Sequence, residues 1–377
     1  MTALLGPRQS GKTTLARTFA ARRQATFYDL ESVPDRRQLD NAALVLGAAR
    51  GLVVLDEIQA RQEIFNALRV LVDRPHDRTR FLVLGSASPA VVRGVSESLA
   101  GRVELIEIGG FDLTEVGAPS WDTLWLRGGF PRSWLARSLR DSVAWRDAFV
   151  RTFLERDVPQ LGITIAAAAM RRFWTMLAHS HGQTWNSSAL ARAMGLSDKT
   201  VRSYLDILTG TFMVRQLQPW FANVAKRQVK SPKIYLRDSG LLHTLLELTD
   251  ARSLRAHPAV GASFEGFVIE QVLRIVSPSE AYFWSTHGDA ELDMLFVRRG
   301  RRYGVEVKFN EAPEPTRSMR TALADLGLTH LFVLYPGTAV YRMDERITAW
   351  PIGELTSLPA ALGARRPERA VRSPKRT

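Results

Sequence analysis

Short apolar runs and helix-like stretches alternate through the first third of the chain. Five strand-like runs occur, at residues 3–5, 26–30, 52–55, 81–84 and 103–108. A continuous apolar run is typical of a strand that is buried on both faces of a parallel sheet. The alternation of such runs with helical patterns predicts a parallel α/β domain over residues 1–118.

The pattern turns helical between residues 121 and 181. Apolar positions recur at helical spacing from 141 to 158, and Pro159 is expected to end that helix. Gly128 and Gly129, followed by Phe-Pro, interrupt the helical pattern. We therefore predict a helical lid or connector over residues 119–182.

The next stretch has the pattern of a helix-turn-helix. Ser187 and Ser188 are candidate caps for a first helix, Gly195 marks a turn, and Ser197 is a candidate cap for a second helix over 198–208. Residues 212–217 suit the first strand of a wing, which predicts a winged helix-turn-helix over residues 183–222. Four polar residues of the second helix would face the major groove of DNA: Lys199, Thr200, Arg202 and Ser203. The alternative is a winged helix that serves only as a packing unit.

Polar residues are spaced along the carboxyl-terminal elements in a way that suggests chemistry. Residues 264–273 form an amphipathic helical pattern in which Glu265 points toward an apolar side, and two strands follow at 291–297 and 303–308. Side chains two positions apart share one face of a strand, so Glu306 and Lys308 emerge together, and Asp293 joins them if the strands pair as a hairpin.

A helical Glu, then an acid on one strand and Glu-x-Lys on the next, is the arrangement found in PD-(D/E)xK nucleases. In that interpretation Glu265, Asp293 and Glu306 bind Mg²⁺, which activates water, and Lys308 positions or deprotonates the water. It predicts a nuclease-like α/β domain over residues 223–358. The alternative is an exposed strand with ordinary charge alternation.

The strongest motif lies at the amino end, where GPRQSGKT fits the phosphate-loop pattern G-x-x-x-x-G-K-[ST] between a strand and a helix. Lys12 is expected to reach the β- and γ-phosphates, and the Thr13 hydroxyl to bind Mg²⁺. The predicted nucleotide-binding residues are Gly6, Pro7, Arg8, Gln9, Ser10, Gly11, Lys12, Thr13 and Thr14.

Four residues complete the predicted catalytic set. Asp56 ends the third strand, where phosphate-loop enzymes bind Mg²⁺, and Glu57 is placed to polarise the attacking water. Ser86, after the fourth strand, is a candidate to sense the γ-phosphate, or is an ordinary turn serine. Arg102 is a candidate arginine finger for a neighbouring subunit, or is a surface arginine.

Composition narrows the classes of function. Among 377 residues, 51 Lys and Arg face 38 Asp and Glu, a net charge of +13 that favours a polyanionic partner such as DNA. The alternative is a compositional excess of arginine in a GC-rich genome. The absence of cysteine excludes disulfides and thiolate zinc sites, and no apolar run approaches a membrane span. These features predict a cytoplasmic protein without membrane contact, with a basic, disordered tail over 359–377.

The chain resembles the bacterial and archaeal AAA-type ATP-binding proteins that carry a carboxyl-terminal domain of unknown function similar to restriction endonucleases. The matching stretches are residues 6–9, 11–14, 55–59, 85–86, 99–102, 128–131, 155–158, 231–235 with Asp238, 264–265, 291–293 and 306–308. The resemblance implies ATP and Mg²⁺ as cofactors, a phosphate-loop domain, a winged helix and a nuclease-like fold. The short amino end departs from the family, which suggests an internal start at Met1 or a missing leading helix. Ser10 also stands where the family has a larger residue.

The sequence thus predicts a Mg²⁺-dependent ATPase whose nucleotide state controls a DNA-facing carboxyl-terminal half. Three versions of this function stay open: an ATPase coupled to an active nuclease, a nucleotide-switched DNA-binding protein that does not cleave, and a protein-interaction ATPase. A homo-oligomer is an option in each of them.

Overall fold

A computed structural model of the chain describes residues 1–61, 63–74, 79–86, 99–160, 165–220, 231–286 and 290–362. The side chain of Ser86 lies outside the described set, as does nearly all of the predicted basic tail. None of the described helices combines the length and the apolar character that crossing a bilayer requires.

The amino-terminal domain is built on five parallel strands, as the sequence predicts. They are β1 (Thr2–Gly6), β2 (Ala25–Asp29), β3 (Leu52–Asp56), β4 (Arg80–Ser86) and β5 (Glu104–Glu107), in the spatial order β2-β3-β4-β1-β5. The observed ends differ from the predicted ends by one or two residues. Because β4 lies between β1 and β3, its carboxyl end lies beside both the phosphate loop and Asp56.

Within the described part of this domain, four helices and a 3₁₀ turn accompany the sheet: α1 (Lys12–Ala20), α2 (Val33–Gln38), α3 (Ala42–Ala48), the turn Ile58–Arg61 and α4 (Ile64–Val72). Helix α4 shows why they pack there. Its buried residues recur at helical spacing, at Ile64, Phe65, Leu68 and Leu71. They form one core with strand residues such as Val53.

The middle of the chain is helical, as predicted. Its helices are α5 (Leu113–Val116), α6 (Trp121–Arg127), α7 (Pro131–Trp134), α8 (Leu139–Thr152), α9 (Val158–Gln160) and α10 (Ala167–His179), with a 3₁₀ turn at Ala118–Ser120. The prediction of one helix that ends at Pro159 is wrong in detail. Helix α8 ends at Thr152, a π-helical turn covers Phe153–Asp157, and Pro159 lies inside α9. The helical backbone continues through this turn, since the Val158 N–H donates to the Phe153 carbonyl, and Pro159 is the residue before the last one of α9.

Two helices and a hairpin follow: α11 (Ser187–Met194), α12 (Asp198–Gly210), β6 (Val214–Leu217) and β7 (Lys233–Leu236). Ser197 caps α12 as predicted, and its hydroxyl accepts a hydrogen bond from the Thr200 N–H at 3.1 Å. The first helix is capped by Asn186 rather than by Ser187 or Ser188. The predicted boundary between residues 222 and 223 lies outside the described residues.

The carboxyl-terminal domain has a six-stranded mixed sheet. Its helices are α13 (Ser239–Leu245), α14 (Ala251–Ala256), α15 (Val260–Val276), α16 (Arg317–Asp325) and α17 (Leu358–Ala361), and a 3₁₀ turn lies at Ile352–Ser357. Its strands are β8 (Glu280–Ser285), β9 (Glu291–Arg298), β10 (Arg301–Val307), β11 (His330–Tyr335), β12 (Tyr341–Asp344) and β13 (Ile347–Pro351).

The sheet order is β12-β13-β11-β10-β9-β8, and β10 is antiparallel to β9 but parallel to β11. Arg299 and Gly300 both have positive φ, as a tight hairpin between β9 and β10 requires. One hydrophobic core extends from Leu113 to Leu362, so the helical middle and the mixed sheet pack as a unit.

Candidate nucleotide site and a buried carboxylate cluster

The phosphate loop connects β1 to α1 with two residues in the left-handed region. Gln9 has a φ of 61° and Gly11 a φ of 93°. A loop of this kind before a helix amino terminus directs backbone N–H groups toward an anion. Gly6 is sterically required, because a Cβ there would lie 1.9 Å from the carbonyl oxygen of Ile108.

Lys12 is buried beneath this loop. Its ammonium donates hydrogen bonds to the carbonyl oxygens of Gly6 at 3.0 Å and Pro7 at 2.6 Å. Burial lowers the pKa of Lys12 to about 8, although Glu57 and Asp56 oppose the shift. The side chain is therefore fixed at the loop, with two carboxylates near enough to favour its charged form.

Two predicted Mg²⁺ ligands meet across the domain. The Thr13 hydroxyl lies near enough to the carboxylate of Asp56, at the end of β3, to lower the pKa of that acid. Asp56 is 3 % exposed, and burial raises its pKa despite the nearby hydroxyl. A hydroxyl and a carboxylate are the oxygen ligands that Mg²⁺ prefers, so these residues fit the ion.

Glu57 follows Asp56 with a φ of 56°, an uncommon conformation for a residue with a side chain. Its N–H donates to Asp56 Oδ1 at 2.9 Å, and the Gln59 amide donates to its carboxylate. These contacts fix Glu57 beside Asp56.

The structure separates the other two predicted catalytic residues. In the strand register Ser86 is the partner of Gly6, so its backbone lies beside the phosphate loop. Arg102 precedes β5, whose first residue pairs with Thr2 at the opposite end of β1. Its guanidinium pairs with Asp73 at 2.8 Å. Arg102 is therefore distant from its own subunit's phosphate loop, and action on a neighbouring subunit stays a prediction.

The helical middle contacts the phosphate loop directly. Arg8 forms ion pairs with Asp157 in the π-helical turn and with Glu31, the latter at 3.0 Å. A Cβ on Gly11 would lie 3.7 Å from Pro131, so that proline packs beside the loop. Sequence reasoning assigned no role to Asp157, although residues 155–158 are part of the family resemblance.

The predicted acids of the carboxyl-terminal domain converge from three elements. Glu265 comes from α15, Asp293 from β9 and Glu306 from β10. Asp293 accepts a hydrogen bond from the Val307 N–H at 2.8 Å, and the Lys308 ammonium lies 2.7 Å from Glu306. The two acids on the strands are more than nine-tenths buried. The alternative of an exposed strand with alternating charges is therefore wrong for this sheet.

Two residues that sequence reasoning did not place in this cluster come from the β6–β7 hairpin. The Lys233 ammonium contacts the Glu291 carboxylate and lies 3.3 Å from Glu265 Oε1 and 3.8 Å from Asp293 Oδ1. The Tyr235 hydroxyl donates to Glu265. A lysine within a buried, otherwise apolar strand was the available signal.

The electrostatics of the cluster favour an additional cation. Burial and the charge of Asp293 raise the pKa of Glu265 to about 7 and that of Glu306 to about 8. Glu306 Oε2 is buried and has no hydrogen-bond partner among the described residues. The carboxylate oxygens of these acids are thus suitable ligands for a divalent cation. Across the described residues, however, no group of three or more His, Asp or Glu side chains is arranged to hold a metal ion.

Strand β7 also reaches the amino-terminal domain. Arg237, the residue after β7, pairs with Glu107 of β5 and lies 3.3 Å from Glu270 of α15. Burial alone would raise the pKa of Glu270, but Arg215 and Arg237 lower it to about 2. The ion network thus links the edge of the parallel sheet to the domain that carries the acids.

Helix α12 presents the polar face that the sequence predicts. Lys199, Arg202 and Ser203 are exposed and Thr200 is half-buried, while Val201 and Leu205 are fully buried in the core. Arg202 lies 3.5 Å from Asp206 on the same helix.

Comparison with known proteins divides the chain into three parts. A family model described as an AAA domain matches residues 1–117, and two models described as domains of unknown function, DUF8612 and DUF4143, match residues 118–252 and 260–355. The crystal structure of protein VC1899 from Vibrio cholerae covers 96% of this chain and 97% of that chain. Its sequence identity of 12% and TM-score of 0.21 are too low to support any argument.

Two relatives in the genus Mycobacterium are far more similar. An uncharacterized protein of Mycobacterium bovis and one of Mycobacterium tuberculosis are each 50% identical to this chain over 352 residues, which is 93% of this chain and 80% of the relative. The chain therefore belongs to the family of these mycobacterial proteins, and in this chain an AAA domain precedes two domains of unknown function.

Proposed function

We propose that this protein binds ATP with Mg²⁺ at the phosphate loop and hydrolyses it. The observation that carries the proposal is the proximity of Thr13 to Asp56, which brings the two predicted Mg²⁺ ligands together from separate motifs. Lys12 neutralises phosphate charge, and Glu57 orients the attacking water. The bound ion would neutralise the charge that develops on the phosphates.

Calorimetry with MgATP tests this proposal. Lys12→Ala is expected to weaken binding at least about 100-fold, since it removes a buried cation that contacts the phosphates. Lys199→Ala, at an exposed lysine on α12, is the matched control and should bind like the wild type. Wild-type affinity in Lys12→Ala, or no binding by the wild-type protein, would reject the proposal.

We further propose that nucleotide state controls the carboxyl-terminal half. Two contacts support this: Arg8 with Asp157, and Arg237 with Glu107. Glu107 pairs in register with Leu5, the residue before Gly6 of the phosphate loop. ATP turnover measured with and without DNA tests the coupling. Stimulation by DNA that is reduced in Glu107→Gln supports it, and equal stimulation in both proteins contradicts it.

A second candidate function is metal-dependent cleavage of nucleic acid. The unpartnered oxygen of Glu306, within a set of buried acids, is the observation that favours it. The element order α15, β8, β9, β10, α16 and β11 suits a nuclease-like fold. Glu265, Asp293 and Glu306 would hold Mg²⁺, and Lys308 would position water. Cleavage of plasmid DNA with Mg²⁺ or Mn²⁺ tests this, and cleavage that survives both Asp293→Asn and Lys308→Ala would reject the assignment.

Binding to DNA without cleavage is the remaining version. The exposed Lys199 and Arg202 on α12 support it, together with the net charge of +13. Each phosphate contact adds about one unit to the slope of log affinity against log salt. Removal of either side chain should reduce that slope by about one unit. Unchanged slopes would favour a winged helix that contacts protein partners or further copies of the chain. In an assembly of such copies, Arg102 of one subunit would reach the nucleotide of its neighbour.

A further inference from the structure

Lys233 lies among the acids that the metal proposal uses. Its ammonium is within 3.8 Å of oxygens from Glu265 and Asp293 and contacts Glu291, and the residue is only 6 % exposed. The cluster therefore already contains a bound cation, supplied by the chain itself. When all four carboxylates, which include Glu306, are ionised, they outnumber the two ammonium groups of Lys233 and Lys308 by two negative charges.

An ammonium and a divalent ion cannot share these oxygens. Mg²⁺ draws its oxygen ligands to about 2 Å, so ligands of one ion lie close together. The Lys233 ammonium instead lies 3.3 Å from Glu265 and 3.8 Å from Asp293, a spacing suited to hydrogen bonds and ion pairs. Two cations at such short range also repel each other strongly in a buried site.

The backbone of Lys233 is fixed on both sides. In the β6–β7 hairpin it pairs with Leu217, and it forms a bridge with Thr184. The Trp185 N–H donates to the Pro232 carbonyl at 2.7 Å. Displacement of the Lys233 ammonium would therefore require movement of the side chain rather than of the backbone. The carboxylate of Glu291 is 46 % exposed, so the Lys233 ammonium contacts one acid that reaches solvent.

We propose that Lys233 is a built-in competitor for the divalent cation, which fills the carboxylate cluster until Mg²⁺ or Mn²⁺ displaces its ammonium past Glu291 toward solvent. This inference rests on the proposed metal-binding function of Glu265, Asp293 and Glu306. Exchange of one ammonium for a divalent ion brings the cluster closer to neutrality. The lysine sets a threshold of metal concentration below which the site stays filled by the protein's own charge.

Binding of Mn²⁺, followed by electron paramagnetic resonance without nucleotide, tests the competition. Lys233→Met should bind Mn²⁺ at least ten-fold more tightly than the wild-type protein, and Asp293→Asn should remove this binding. Lys308→Met, which removes the ammonium paired with Glu306, is the matched control and should gain less. If the wild-type protein binds Mn²⁺ through Asp293 but Lys233→Met binds it no more tightly, the competitor role is overturned and the metal site stands. If neither protein binds Mn²⁺, both proposals fail.

Lysine acylation of the wild-type protein provides a test that does not depend on a folded variant. Without metal, Lys233 should react with an N-hydroxysuccinimide acetate at least ten-fold more slowly than the exposed Lys199, as measured by peptide mass spectrometry. Saturating Mn²⁺ should raise the rate at Lys233 and leave Lys199 unchanged. Continued protection of Lys233 in protein that has bound Mn²⁺ through Asp293 would overturn the proposal.

Discussion

Arg8 of the phosphate loop forms an ion pair with Asp157, which lies 149 positions later in a π-helical turn. The pair is largely shielded, with 20 % of the Arg8 side chain and 11 % of the Asp157 side chain exposed. A guanidinium in a phosphate loop is also a partner for phosphate oxygens. We therefore expect Asp157 and a bound nucleotide to compete for one arginine, which would make the helical middle sensitive to the nucleotide.

Asp157→Asn is expected to tighten MgATP binding, because it removes the carboxylate that competes for Arg8. The expected gain is about five-fold, or about 1 kcal/mol, for a partly exposed charged pair. Glu31→Gln, which removes the more exposed partner of Arg8, should have a smaller effect. Calorimetry measures both variants. A weaker affinity in Asp157→Asn would mean that Asp157 holds Arg8 in its binding position.

Glu57→Gln should separate hydrolysis from binding. The amide keeps the shape of the side chain but cannot accept the proton of water, so single-turnover hydrolysis of ATP should fall about 100-fold or more. The affinity for MgATP should stay within about three-fold of the wild-type value. Glu63→Gln, at an exposed position after β3, is the control. Hydrolysis that is unaffected in Glu57→Gln would move the water-polarising role to another residue.

Gly6→Ala should abolish nucleotide binding through geometry alone. The new Cβ would lie 1.9 Å from the Ile108 carbonyl oxygen, and backbone on both sides of the contact would have to move. Gly261→Ala is a matched control, because Gly261 is in α15 and nothing lies within 4 Å of its Cβ position. It should raise the free energy of unfolding by up to about 1 kcal/mol. Normal MgATP affinity in Gly6→Ala would contradict this description of the loop.

The sequence was sufficient to predict the parallel sheet and the convergence of residues that local patterns mark. Buried strands read as apolar runs, and residues at their carboxyl ends meet at one edge of the sheet, which is why Thr13 and Asp56 were predicted to act together. The acids Asp293 and Glu306 followed in the same way from strand periodicity. Each of these inferences uses only residue patterns within one strand or one motif.

Contacts between distant segments were not predictable in this way. Asp157 was not assigned to Arg8, nor Lys233 to Glu265, because neither residue has a local pattern that names its partner. Lys233 reaches the acids only because the hairpin packs against α15 and β9. The end of α8 was also missed, since a π-helical turn has no signature in hydrophobic spacing.

Two buried histidines give the protein a pH dependence that can be isolated by substitution. His181 accepts a hydrogen bond from the Leu236 N–H at 3.0 Å, and His243 lies between Ser263 and the Leu126 carbonyl. Burial lowers the pKa of each to about 3. Between pH 6.5 and 3 the unfolded chain binds protons at these positions and the folded chain does not, so stability is lost as the pH falls below 6.5.

At pH 5 each histidine should lower the free energy of unfolding by about 2 kcal/mol relative to pH 7.5. The value follows because pH 5 lies about 1.5 units below the ordinary histidine pKa, and each unit corresponds to about 1.4 kcal/mol. The raised pKa values of Glu265 and Glu306 act in the opposite direction, since those acids hold protons in the folded state. The total pH dependence thus combines the histidine and glutamate contributions, and the comparison of variants separates them.

His181→Asn keeps an acceptor for the Leu236 N–H. Its loss of stability from pH 7.5 to 5 in urea unfolding should be about 2 kcal/mol smaller than in the wild type. The exposed His179→Asn should lose as much as the wild type, and an equal loss in His181→Asn would show that His181 is already protonated in the folded protein.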